Sequence, residues 1–172
     1  MTESSPPTAN FQLAVDKLEL DTAAHLAAIA EVLRKPAGFS SLSIEQRKFA
    51  LAALLGSVIP ADGKIKPCEL EKLESLLASR MQARDKTTAE ALMIARRNLG
   101  STVNMHLVAS RLPDLFGIED RCNLIGMLWD IALCDHELHP SEESFIYRIA
   151  DEAAIPRKKV AEQQARSAAN VV

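Results

Sequence analysis

Ala61-Asp62-Gly63-Lys64-Ile65-Lys66-Pro67-Cys68-Glu69 and Cys134-Asp135-His136-Glu137-Leu138-His139-Pro140-Ser141-Glu142 follow one plan. In each, an Asp is followed by a residue that tolerates positive φ, then an apolar residue, a Pro and a Glu. Pro is favoured at a first helical position, so each stretch reads as a turn that opens a helix. Extending outward, Phe49 to Leu77 aligns without a gap on Cys122 to Ala150, giving repeats at about 49–77 and 122–150. Leu51 matches Leu124, Leu55 matches Leu128, and Asp62, Pro67 and Glu69 match Asp135, Pro140 and Glu142. Leu54 with Met127, Val58 with Ile131, Leu73 with Ile146 and Leu76 with Ile149 are similar apolar pairs. The pattern predicts an all-α protein built on two pseudo-repeated helix-turn-helix units.

The flanks agree. Ser43-Ile44-Glu45-Gln46 is a capping box, and Leu51, Leu54, Leu55 and Val58 form an apolar stripe behind it. Leu26, Ile29, Ala30 and Leu33 mark an earlier helix that Pro36-Ala37-Gly38 stops. Thr88 can cap a helix ending at Gly100, and a shorter stretch from Val103 to Leu112 ends at Pro113. Ile118 to Leu133 carries the second stripe, Pro140 opens the next helix and Pro156 the last. About seven helices are expected in one compact bundle. Residues 1–20 read as a loosely ordered N-terminal segment and 21–172 as a single helical domain.

Composition narrows the function. A net charge of -3 and a pI near 5.8 leave no broad positive field, so nucleic acid is not an expected partner. Phe49 to Ala61, the longest near-apolar stretch, is shorter than the about 18 residues of a membrane span and is interrupted by Gly56, Ser57 and Pro60. The polar, acidic start Met1-Thr2-Glu3-Ser4-Ser5-Pro6-Pro7 lacks the pattern of an export signal. Cys68, Cys122 and Cys134 are an odd number with no Cys-x-x-Cys pair, which argues against a disulfide framework and for a reducing cytoplasm.

The acids admit two readings. As structure, Asp62 and Asp135 make Asx turns, while Glu69 and Glu142 sit at third helical positions and cap free N–H groups. Gly63 and His136 would share a positive φ, and Ile65 and Leu138 would tuck back toward the core. As a site, the two units pack about a local twofold and bring Asp62, Glu69, Asp135 and Glu142 together as oxygen ligands for a divalent cation: calcium, magnesium, manganese or zinc. Two carboxylates about 5 Å apart repel by roughly 3 kcal/mol at an effective dielectric of about 20, so convergence would demand a cation or a bound proton. An EF-hand is excluded, because Lys64 and Lys66 stand where ligands would be needed. Cys134, His136 and His139 offer a separate soft set suited to zinc or copper.

At these turns the chain resembles the TerB-like family, the tellurite-resistance TerB proteins and relatives that include the N-terminal domain of the DjlA co-chaperone. The resemblance runs from about Ile44 to Ala169 and rests on an apolar helix entering Ala-Asp-Gly, then an apolar residue, a Pro and a Glu. Copy two departs from it at His136. It implies an all-helical fold with an acidic, metal-chelating face and a link to tellurite or other chemical stress, and it implies no catalysis. There is no phosphate loop, Gly-x-Ser-x-Gly elbow or Glu-x-x-His pair, so no enzymatic activity is expected. His25 and His106 read as packed or surface residues, Trp129 as core or rim packing and Arg157-Lys158-Lys159 as a solvated face. The alternative to cation binding is a protein-interaction scaffold in which the acids only cap helices.

Overall fold

The computed structural model describes residues 9–83, 85–101 and 105–171; of 9–11 and 101 it describes the backbone alone. Among the described residues there are nine α-helices and no strand. They are α1 (Ala9–Leu33), α2 (Gly38–Ser41), α3 (Ile44–Gly56), α4 (Pro67–Arg80), α5 (Asp85–Arg97), α6 (Met105–Arg111), α7 (Ile118–Ala132), α8 (Pro140–Glu152) and α9 (Arg157–Asn170). A 3-10 turn at Ile59–Asp62 joins α3 to the loop before α4.

The all-α expectation holds, with nine helices in place of about seven. One addition is α2, a single turn inside the expected stop. There Ala37 takes a left-handed φ of 55°, and a Cβ on Gly38 would lie 2.2 Å from the Val32 carbonyl oxygen, so only glycine lets the chain double back so closely. The N-terminal expectation is corrected. Residues 9–20, expected to be loose, belong to α1, while 1–8 lie outside the described residues. Val15 and Leu18 pack on the core, and the fully buried Thr22 hydroxyl donates to the Leu18 carbonyl 2.7 Å away. Thr88 is not a cap, because α5 starts at Asp85. Val103, the expected start of the short helix, lies outside the described residues, and α6 runs from Met105.

The two repeats form hairpins α3/α4 and α7/α8. Ser43 caps α3 by accepting from the Gln46 amide at 3.2 Å, while its own amide donates to Gln46 Oε1 at 3.0 Å. Leu54, Leu55, Val58 and Leu73 of copy one, and Leu128, Ile131 and Ile146 of copy two, are fully buried. The hairpins interlock crosswise: α4 packs on α7, and α8 packs on the 3-10 turn of copy one. Around them α5 and α6 cover α3, and α9 covers α7. Trp129 is fully buried and meets Tyr147 edge-on at 5.9 Å.

Because Leu55 and Leu128 occupy equivalent, fully buried places, Leu55→Ala and Leu128→Ala should each lower the unfolding free energy by about 2–5 kcal/mol in urea melts. Leu13→Ala, at a side chain 68% exposed, should change it by less than about 0.5 kcal/mol. Equal effects at all three positions would contradict this core.

Candidate functional site: an acid pair between the two turns

Each turn has the local geometry its residues favour. Gly63 has a φ of 79° and His136 a φ of 63°, so both copies reverse direction through the left-handed region as expected. Asp62 Oδ1 accepts from the Lys64 amide at 2.8 Å, and Asp135 Oδ1 from the Glu137 amide at 3.1 Å, the two Asx turns. Pro67 and Pro140 open α4 and α8. At the third position of each, the glutamate reaches back: Glu69 Oε2 accepts from the Lys66 amide at 2.8 Å and Glu142 Oε2 from the His139 amide at 2.9 Å. The apolar residues differ. Leu138 packs on the core, but Ile65 is 41% exposed, so only copy two tucks its apolar residue inward.

Crosswise packing buries both glutamates, Glu69 at 1% exposure and Glu142 at 0%. With each Oε2 occupied by backbone, Glu69 Oε1 and Glu142 Oε1 are left buried with no N–H or O–H donor. The two carboxyl groups meet each other. Burial pushes the Glu69 carboxyl up to about 7; the neighbouring Glu142 carboxyl acts in the same direction, against the Lys66 amide and ammonium. Near neutral pH, Glu69 can therefore hold a proton.

The other acids are placed differently. Asp135 Oδ2 pairs with the Lys66 ammonium at 2.7 Å, across the two copies. Partial burial works against the Asp135 carboxylate, but the hydrogen bonds from Lys66 and from the Glu137 amide outweigh it and hold its pKa below the usual value. The Lys66 ammonium is held above its ordinary value chiefly by its hydrogen bond to Asp135, with added attraction from Glu142 and Glu69. Asp62 is engaged within its own turn. Among the described residues no three His, Cys, Asp or Glu side chains group as a metal cluster, so the four acids do not converge as one set. What converges is Glu69 with Glu142, flanked by Asp135 with Lys66. The same finding removes the soft set at the second turn: Cys134 is bonded to Cys68, and His139 Nδ1 accepts from the Ser141 amide at 3.2 Å.

Lys66 and the cysteine bond were not anticipated. The argument against a disulfide framework is corrected: Cys68 and Cys134 form a disulfide with Cα atoms 6.0 Å apart, and Cys122 is free and buried. Lys66 could have been noticed as a cation set among acids, in the place His139 takes in copy two. His25, read as a packed or surface residue, stacks on Phe49 at 4.1 Å and lies 3.4 Å from the buried carboxylate of Glu90.

The acid pair makes stability depend on pH with a definite sign. The folded Glu69 binds its proton up to about 7, above its ordinary value of 4.5, so folding takes up a proton between these limits. Stability from this group is full below pH 4.5 and is lost as pH rises through 7. Relative to Glu69→Gln, the native protein should lose on the order of 2 kcal/mol between pH 5 and 8. Chemical denaturation at both pH values measures this, and parallel pH profiles for the two proteins would refute the buried proton.

Among the described residues, no helix is long and apolar enough to cross a membrane. No curated protein and no solved structure matches the chain significantly. The family model described as tellurite resistance protein TerB matches residues 48–165, a span that contains both turns, both glutamates and the disulfide. With more than half of its length matched, and with the helical repeat that the turns specify, this chain belongs to the TerB family.

Proposed function

We propose that this TerB-family chain is a non-enzymatic domain that takes up a divalent cation at the Glu69–Glu142 pair, in a role tied to tellurite or other chemical stress. The observation that carries the reading is the pair of buried carboxylate oxygens, Glu69 Oε1 and Glu142 Oε1, that have no donor. An all-oxygen, anionic donor set suits calcium, magnesium or manganese better than zinc. A bound divalent ion would supply the positive charge that a proton on Glu69 otherwise supplies. Glu69 and Glu142 are the residues to hold it. Asp135 and Asp62 are further oxygen donors on the same two turns; Asp135 is spent on Lys66 and Asp62 on its own Asx turn. The link to stress rests on the family's description alone.

Uptake in exchange for a proton should strengthen as pH rises through 7, where Glu69 gives its proton up. One observation favours the second reading, a protein-interaction scaffold whose acids only cap helices. Every one of the four acids already accepts a backbone N–H within its own turn.

Thermal melts with calcium, magnesium, manganese or zinc at pH 8 separate the two. An ion at about a hundred times its dissociation constant should stabilise by about 2.7 kcal/mol, a rise of roughly 5–10 °C for a domain of this size. The rise should vanish in Glu69→Gln/Glu142→Gln and shrink at pH 6. If no ion moves the melt, or the double variant responds like the native protein, the cation reading fails and the scaffold stands.

A further inference from the structure

The Cys68–Cys134 bond ties the start of α4 to the turn after α7. Cys68 is the second residue of α4, and Cys134 follows the end of α7; the bond closes a loop with a sequence separation of 66. Its neighbours are the interacting groups of the acid centre. Lys66 and Glu69 flank Cys68, and Asp135 follows Cys134. The bond therefore ties copy one to copy two beside the Lys66–Asp135 ion pair and the glutamate contact.

The three cysteines differ in a way that selects this pair. Cys68 and Cys134 are only half-buried, within reach of small molecules in solvent. Cys122 is 2% exposed, and burial pushes its thiol up, so it is slow to attack a disulfide. A bond built only for permanence would gain from burial. This one sits at the surface between two helix ends that already have an ion pair and apolar packing to hold them when it opens.

We propose that Cys68 and Cys134 are a reversible dithiol–disulfide site that clamps the two turns together in the oxidised state and frees them in the reduced state. The inference stands apart from the cation reading. The chemistry is two-step exchange with a small-molecule disulfide such as glutathione disulfide. One cysteine, as thiolate, attacks the disulfide and expels one thiolate, forming a mixed disulfide; the second cysteine then displaces the other. Two protein thiols become one disulfide, and one glutathione disulfide becomes two glutathione thiols. Reduction by excess glutathione reverses both steps. With the clamp open, α4 and the turn before α8 keep their non-covalent contacts but are free to separate more often.

The test uses the full chain, folded throughout, equilibrated in graded mixtures of glutathione and its disulfide, then alkylated and mapped by mass spectrometry. A Cys68–Cys134 peptide should rise and fall with the mixture from either direction, while Cys122 is alkylated only after denaturation. Oxidation should raise the melting temperature by about 10 °C, given the long loop it closes. It should also slow hydrogen exchange several-fold in residues 61–69 and 134–142. Cys68→Ser should melt as the reduced protein does and show no response to the mixture, and Cys122→Ala should respond as the native chain does. Free thiols at every mixture would overturn the proposal. So would a bond that glutathione opens only in denatured protein, or one whose opening leaves both exchange and melting unchanged.

Discussion

A carboxyl group taken out of water must find donors or a proton, because an uncompensated buried charge costs several kcal/mol. In this chain two carboxyl groups face that demand together. Glu69 and Glu142 each give one oxygen to the backbone of the turn before their helix and bury the other against the partner glutamate. The first contact fixes the start of α4 or α8, and the second fixes the two hairpins to each other. A single residue type at one helical position thus couples local capping to the packing of the whole bundle.

The rest of the centre breaks the symmetry of the repeat. Lys66 takes the place that His139 holds in copy two, so a long cationic side chain is available on one side only, and it reaches across to Asp135. The disulfide is likewise asymmetric. Cys68 aligns with Ser141, and Cys134 aligns with Ala61, so the bonded pair joins non-equivalent positions. Charge compensation and covalent linkage both run from the start of α4 to the turn after α7. That seam holds the acid pair, the ion pair and the sulfur bond.

Local chemistry made much of this readable in the amino-acid sequence. Pro67 and Pro140, the glutamates two residues on, and Gly63 with His136 at positive φ are all settled within one turn of chain, and each is found as the residues imply. The first half of α1 was hidden because its apolar residues form no clean stripe: Leu13 and Leu20 face solvent, while Val15 and Leu18 face the core. Ile65 departs from Leu138 although both are apolar, since burial there depends on what the rest of the fold brings near. The repeat also suggests that all four acids act as one set. The structure divides them, because Lys66 takes Asp135 and the Asx turn engages Asp62. Contacts between residues distant in sequence, Glu69 with Glu142 and Cys68 with Cys134, carry no local signature.

Glu69 and Glu142 are buried together where the copies meet, and burial lets Glu69 keep a proton near neutral pH. Carbon-13 NMR of the glutamate side-chain carboxyls, followed across pH in the folded protein, reads it directly. The account predicts that Glu69 titrates with a midpoint near 7 and that Glu142→Gln lowers that midpoint, because part of the push comes from Glu142. A Glu69 carboxyl that titrates at its ordinary 4.5 in both proteins would contradict the buried pair on which the fold's seam is built.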